Sequence, residues 1–146
     1  MVSASYKRIQ NTNDYDIKDF IFDWTELSAI GIVIGAFNAD KLLGLIVFVR
    51  HPDKQYLFNE IFNVEVINSY QSKGVGSRLL ALTMIDSENY NFDGYVQLKS
   101  KTTDVQNFYL HLGAINNGGQ RMLFETEASA NVIDKYLPQG GYVNGL

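Results

Sequence analysis

An apolar strand that runs straight into a glycine-bearing helix start is the feature that most constrains this chain. The stretch Val64-Glu65-Val66-Ile67-Asn68-Ser69-Tyr70-Gln71-Ser72-Lys73-Gly74-Val75-Gly76-Ser77-Arg78-Leu79-Leu80 passes from β-branched residues through a short polar loop into an amphipathic pattern. Two glycines in a first helical turn leave bare the backbone N–H groups that have no intrahelical acceptor. With the positive end of the helix dipole behind them, such groups bind phosphate oxygens. The expected ligand is a pyrophosphate-carrying cofactor.

Three phosphate motifs compete for this loop. A dinucleotide fingerprint needs G-x-G-x-x-G, and Leu79 stands where its third glycine belongs. A Walker A loop needs G-x-x-x-x-G-K-[ST], which the chain lacks. What remains is Gln-x-x-Gly-x-Gly between a strand and a long helix.

The flanks add to it. Ile30 to Phe37 and Leu42 to Val49 are two apolar runs separated by Asn38-Ala39-Asp40-Lys41, the pattern of an antiparallel hairpin. After His51-Pro52-Asp53-Lys54 a third strand is expected from Tyr56 to Ile67. Downstream, Gly94 to Leu98 forms a short strand. A helix follows with Thr103 and Gln106 spaced as a capping box, ending at Leu112-Gly113. This series resembles motif A and its surroundings in the GNAT superfamily of acyl-CoA-dependent N-acetyltransferases, from Ile30 to Thr126. That family often carries a glycine where Gly44 stands, and Asn107 to Ala114 is similar to its F/L-Y-x-x-x-G-F segment. Two positions depart from the pattern: Thr102 replaces an asparagine seven residues before the tyrosine, and Gly113-Ala114 replaces Gly-Phe.

The resemblance implies a single α/β domain over residues 1–146, with a strongly twisted, mixed but mostly antiparallel sheet flanked by helices. It implies acetyl-CoA, or coenzyme A, as co-substrate. The pantetheine arm would pair with the backbone from Val64 to Val66, and Gln71, Ser72, Lys73, Gly74, Val75, Gly76 and Ser77 would line the pyrophosphate. Lys73 is equally well a solvated loop lysine. Tyr109, four residues before Gly113, takes the place of the family's general acid, which protonates the coenzyme A sulfur; the bland alternative is a core aromatic. His111 lies about 200° round the helix from it and reads as a surface residue.

An amine nucleophile also needs a base. If no bulge intervenes, Phe58, Glu60, Phe62, Val64 and Val66 share one strand face, and Glu65 falls on the other with Asn59, Ile61 and Asn63. A lone charge among apolar neighbours wants a cause, and partial burial would raise its pKa toward neutrality. Glu60 is therefore the leading base, and in the histone-acetylating branch of the family a base glutamate lies at the same distance from motif A. Glu65 is the competitor. A bulge, common on this strand in the family, would flip the parity beyond it. Either carboxylate is alternatively structural.

Composition sets the remaining bounds. A chain of 146 residues forms one domain, burying roughly 68–70% of its unfolded surface. Hydrophobic content of 46% and charged content of 19% are those of an ordinary globular protein. No eighteen-residue apolar run and no signal-like N-terminus occur, so no membrane partner and a cytoplasmic location are expected. Zero cysteines exclude disulfides, thiolate metal sites and a cysteine nucleophile; no metal is expected. A net charge of −4 argues against a nucleic-acid partner. The expected partners are a small-molecule or peptide amine, such as a polyamine, an aminoglycoside or a lysine side chain, and a second copy in a homodimer.

The ends are less informative. Tyr6 to Ile9 suggests a first strand, Asn11 to Asp14 a loop and cap, and Asp16 to Leu27 a helix. That helix either lines an acceptor groove with Phe20, Ile21, Phe22 and Trp24 or simply covers the sheet. A turn at Asn116 to Gly119, a strand from Arg121 to Thr126 and a helix from Glu127 to Leu137, stopped at Pro138, complete the pattern. The tail, residues 139–146, is too rich in glycine to hold a shape alone and is expected to be flexible. The runner-up function is a non-catalytic acyl-CoA-binding module of sensory or regulatory kind.

Overall fold

The computed structural model describes residues 4–53 and 55–146. Seven strands form one sheet: β1 (Ser5–Arg8), β2 (Ile32–Asn38), β3 (Lys41–Pro52), β4 (Leu57–Val66), β5 (Val96–Lys99), β6 (Ile115–Asn116) and β7 (Arg121–Phe124), in the order β1-β2-β3-β4-β5-β7-β6. Every pairing is antiparallel except β4 with β5. Four helices, α1 (Trp24–Leu27), α2 (Val75–Asn89), α3 (Thr103–His111) and α4 (Thr126–Tyr136), flank it. This is a single-domain α/β fold with a mostly antiparallel mixed sheet.

The hairpin β2–β3 and the long β4 follow the alternation of β-branched residues on a pleated surface. Two apolar clusters form, one on each side. The larger joins Ile34, Ile46, Phe48 and Ile61 of the sheet to Leu79, Leu80 and Met84 of α2. Burying each of those α2 side chains contributes about 1.5–3 kcal/mol. The smaller joins Val33, Leu45 and Val47 to Ile9 and Trp24, which is fully buried.

A bulge in β4 decides which side chains face where. Val47 of β3 pairs with Asn63, but Phe48 pairs with Ile61, leaving Phe62 as the extra residue. Paired residues share a face. Glu65 is opposite Leu45 and Glu60 opposite Val49, so both carboxylates point away from α2. Ile61, Val64 and Val66 pack on the α2 side instead. The expected unbroken row from Phe58 to Val66 is thus corrected: its parity holds only as far as the bulge.

Three local expectations also change. The helix expected over Asp16 to Leu27 shrinks to α1, because other partners claim its amides. The Asp16 carboxylate accepts from the Lys18 N–H (3.1 Å), and Glu65 accepts from those of Ile21 (2.6 Å) and Phe22 (3.2 Å). The cap of α3 is Thr102, whose hydroxyl accepts from the Val105 N–H (3.2 Å), one residue earlier than the expected capping box. The glycine-rich tail does not stand alone: Asn144 bonds to Arg8 (2.8 Å) and Tyr6 (3.0 Å) of β1, and Val143 is buried in the larger cluster.

Candidate active site

β4 and β5 pair only from Asn59–Val96 to Ile61–Leu98, and then diverge. Beyond the bulge, Asn63 to Val66 still pair with β3 but have no partner strand on the β5 side. Parallel strands that part in this way leave a wedge with free backbone donors and acceptors along one wall. α2 begins at one end of the wedge, and α3 closes its side.

The helix start is bare. The first α-helical bond of α2 runs from the Arg78 N–H to the Gly74 carbonyl (3.0 Å), and no side chain caps the end. The amides of Val75, Gly76 and Ser77 are therefore the helix's orphan donors. Gly74 has φ +86° and Ser72 φ +63°, left-handed geometry that turns loop amides toward a common side. Such a cradle fits an anion in its residues and in its dipole.

A cavity of about 390 Å³ opens from this cradle along the wedge. Gln71, Ser72, Gly74, Gly76 and Ser77 line its loop end, and Val64 and Val66 its strand wall. Of the remaining residues expected around the cofactor, Lys73 is exposed, its carbonyl accepting from Arg78 Nη1 (3.3 Å), and Val75 is buried in the core. Gln71 turns its carboxamide onto the Val66 carbonyl (3.1 Å), tying the loop to the end of β4. Sequence reasoning missed Tyr70, Asp104, Val105 and Phe108, which complete the lining. Val105, Phe108 and Tyr109 are three and four apart, so their common helix face was the available signal.

A second, smaller cleft of about 200 Å³ shares Val64, Val105 and Tyr109 with the first. It lies where β4 and β5 part, between Ile61 and Phe62 on one side and Leu98 and Lys99 on the other. Phe22, Lys101 and Thr102 stand at its mouth. Tyr109 thus touches both spaces. It is 5% exposed, packed edge-on against Phe124 at 6.3 Å, and burial pushes its phenol up to about 12. At neutral pH such a group carries its proton and can only donate it. His111 is exposed.

The two glutamates differ. The Glu65 carboxylate receives three donors, the amides of Ile21 and Phe22 and the indole N–H of Trp24 (2.9 Å). Its oxygens are committed to these donors and hold the loop before α1 in place. Glu60, a quarter exposed, lies 2.8 Å from His51 Nε2. Neither lines the cleft.

The sequence model described as the Acetyltransferase (GNAT) family matches residues 3–114. No curated protein matches by sequence. Solved structures share the fold at low identity. One is a mutant of the toxin AtaT bound to the C-terminus of the antitoxin AtaR and acetyl-CoA: 15% identical, 88% of this chain and 96% of that one covered, TM-score 0.65. A KacTA–DNA complex is 14% identical, with 91% and 99% covered and a TM-score of 0.68. AtaT complexed with acetyl-methionyl-tRNAfMet is 15% identical, with 86% and 96% covered and a TM-score of 0.65.

These structures correct one expectation. The net charge of −4 argues against nucleic acid, and the expected partners are a small-molecule or peptide amine and a second copy of the chain. The same fold occurs in complexes with DNA, tRNA and an antitoxin. A net charge sums over a whole surface and does not describe one mouth of it. Among the described residues no helix is long and apolar enough to cross a membrane.

Proposed function

The chain belongs to the acetyltransferase (GNAT) family, and from that premise we propose that it moves an acetyl group from acetyl-CoA to a primary amine, by direct attack with both substrates bound. The observation that carries this reading is the continuity of the two spaces: a bare helix start at one end, an open cleft at the other, and Tyr109 where they meet.

Acetyl-CoA supplies the thioester carbonyl. The orphan amides of Val75, Gly76 and Ser77 hold its pyrophosphate, and the unpaired edge from Val64 to Val66 receives the pantetheine arm and offers an N–H to the developing oxyanion. The amine enters through the cleft, attacks the carbonyl carbon, and forms the C–N bond. Its surplus proton passes through water to Glu60, which lies one residue before the strands part, with His51 beside it. When the C–S bond breaks, the Tyr109 phenol gives its proton to the sulfur. Glu65 acts on the site indirectly, by fixing Ile21 and Phe22. Holding both reactants in line along one wedge supplies much of the rate.

Incubation with acetyl-CoA and a panel of amines, reading free thiol, tests the reading. Tyr109→Phe should leave coenzyme A affinity intact and lower kcat about tenfold or more, since a transition-state proton donor is lost while water replaces it in part. Coenzyme A binding without thiol release on any amine would favour the non-catalytic module.

A further inference from the structure

We infer that the acceptor cleft selects an amine carried on an apolar body with an anionic group beside it, and disfavours polycations; this deepens the proposed acetyl transfer and rests on it. The floor and walls of the cleft are Ile61, Phe62, Leu98 and Val105, with Phe22 at the mouth, an apolar lining too hydrophobic to solvate a second ammonium. Among the described residues, the charged groups lining it are Lys99 and Lys101, both exposed and neither within salt-bridge distance of a carboxylate. Lys101 Nζ stands 6.0 Å from the centre of the Phe22 ring, so cation and aromatic face belong to one mouth.

The carboxylates that might have balanced this charge are turned elsewhere. Glu65 is bound to Ile21, Phe22 and Trp24, and Glu60 to His51. A polyamine or aminoglycoside would meet two ammonium groups with no anion in the lining. A carboxylate or phosphate next to the reacting amine would instead find two donors, while its apolar part packs between Phe22 and Phe62. The shared chemistry is an amine with a neighbouring anion, supplied either by a free carboxylate or by a phosphodiester.

The test compares L-phenylalanine (a carboxylate source), its amide (the same body without the anion), spermidine, and an aminoacylated tRNA as the phosphodiester source. Either anion-bearing amine should exceed the amide about tenfold in kcat/KM, the worth of one hydrogen bond to a charged group. Lys99→Glu with Lys101→Glu should erase that advantage and raise turnover of spermidine. Which of the two wins identifies the source. Spermidine as the best acceptor of the native protein, or an unchanged ratio in the double variant, overturns the inference. If no amine is turned over, acetyl transfer fails while the cleft is still read by N-acetylphenylalanine binding to the coenzyme A-saturated protein. At least a tenfold weaker affinity in the double variant then supports the inference, and equal affinity overturns it.

Discussion

The two halves of β4 carry the same kinds of residue to opposite ends. Before the bulge, the strand is locked on both sides: Asn59 is fully buried, its amide donating to the Thr83 carbonyl (2.9 Å) and to Asp86 (3.0 Å), and Arg50 clasps the same Asp86 with two bonds of 2.8 and 3.0 Å. Beyond it, the strand has one neighbour strand and an open flank, and its carboxylate, Glu65, holds the loop at Ile21 and Phe22 together with Trp24 at the start of α1. The closed half turns polar groups into rigidity. The open half leaves backbone groups unspent, and those are the ones a substrate can use.

Gly76→Asp attacks the open half most directly. A Cβ there meets nothing closer than Val66 at 3.6 Å, so the fold should hold. The added carboxylate sits among the orphan amides, and coenzyme A binding should disappear in a calorimetric titration. Glu60→Gln comes next, with kcat/KM down about 10²–10⁴-fold on any acceptor found and coenzyme A affinity unchanged. Unaltered kinetics would leave the proton to water alone.

Asp86→Ala tests the closed half. It strands Arg50 and takes one of two acceptors from the Asn59 amide, and chemical denaturation should report a loss of about 3–5 kcal/mol. The Asp86 network lies at the closed end, so a variant that still folds should keep its coenzyme A affinity; if that affinity falls in step with stability, the two halves are not independent. The smallest effect is a pH dependence. The Tyr109 phenol ionises near 10 when unfolded and near 12 when folded, so its contribution is intact below pH 10 and is lost as pH rises from there toward 12. Two units amount to about 3 kcal/mol. Denaturation midpoints of the native protein should therefore fall more steeply over that window than those of Tyr109→Phe.

Much of this was legible in the sequence, and the illegible parts share a cause. The hairpin, β4, the loop and α2 follow from local periodicity and from glycines whose spacing has few other uses. Tyr109 could be placed because Gly113 fixes its distance from the helix end. The segment from Asp16 to Leu27 misled because its apolar residues are spaced for a helix, while the acceptor of its amides, Glu65, lies 43 and 44 residues away. The family resemblance implies a bulge on this strand, but no residue type marks its place: it appears in the pairing of β4 with β3 and in no property of Phe62 itself. Phe22 was legible only as one member of a stripe that either lines an acceptor groove or covers the sheet, and Lys99 and Lys101 gave no signal in isolation, since three segments meet to form the cleft mouth.

The bulge at Phe62 stores one residue that the pairing does not use. Ile61 already pairs with Phe48 and Asn63 with Val47, so removing Phe62 would join the two ladders without any side chain changing face. Drawing Phe62 into the ladder would instead slip the register by one, and every side chain from Asn63 to Val66 would exchange faces. Glu65 would then be driven into the core beside α2, Trp24 would lose its acceptor, and Val64 and Val66 would leave the cofactor wall. The open half of the strand is thus sensitive to register, while the bulge itself can absorb the loss of a residue.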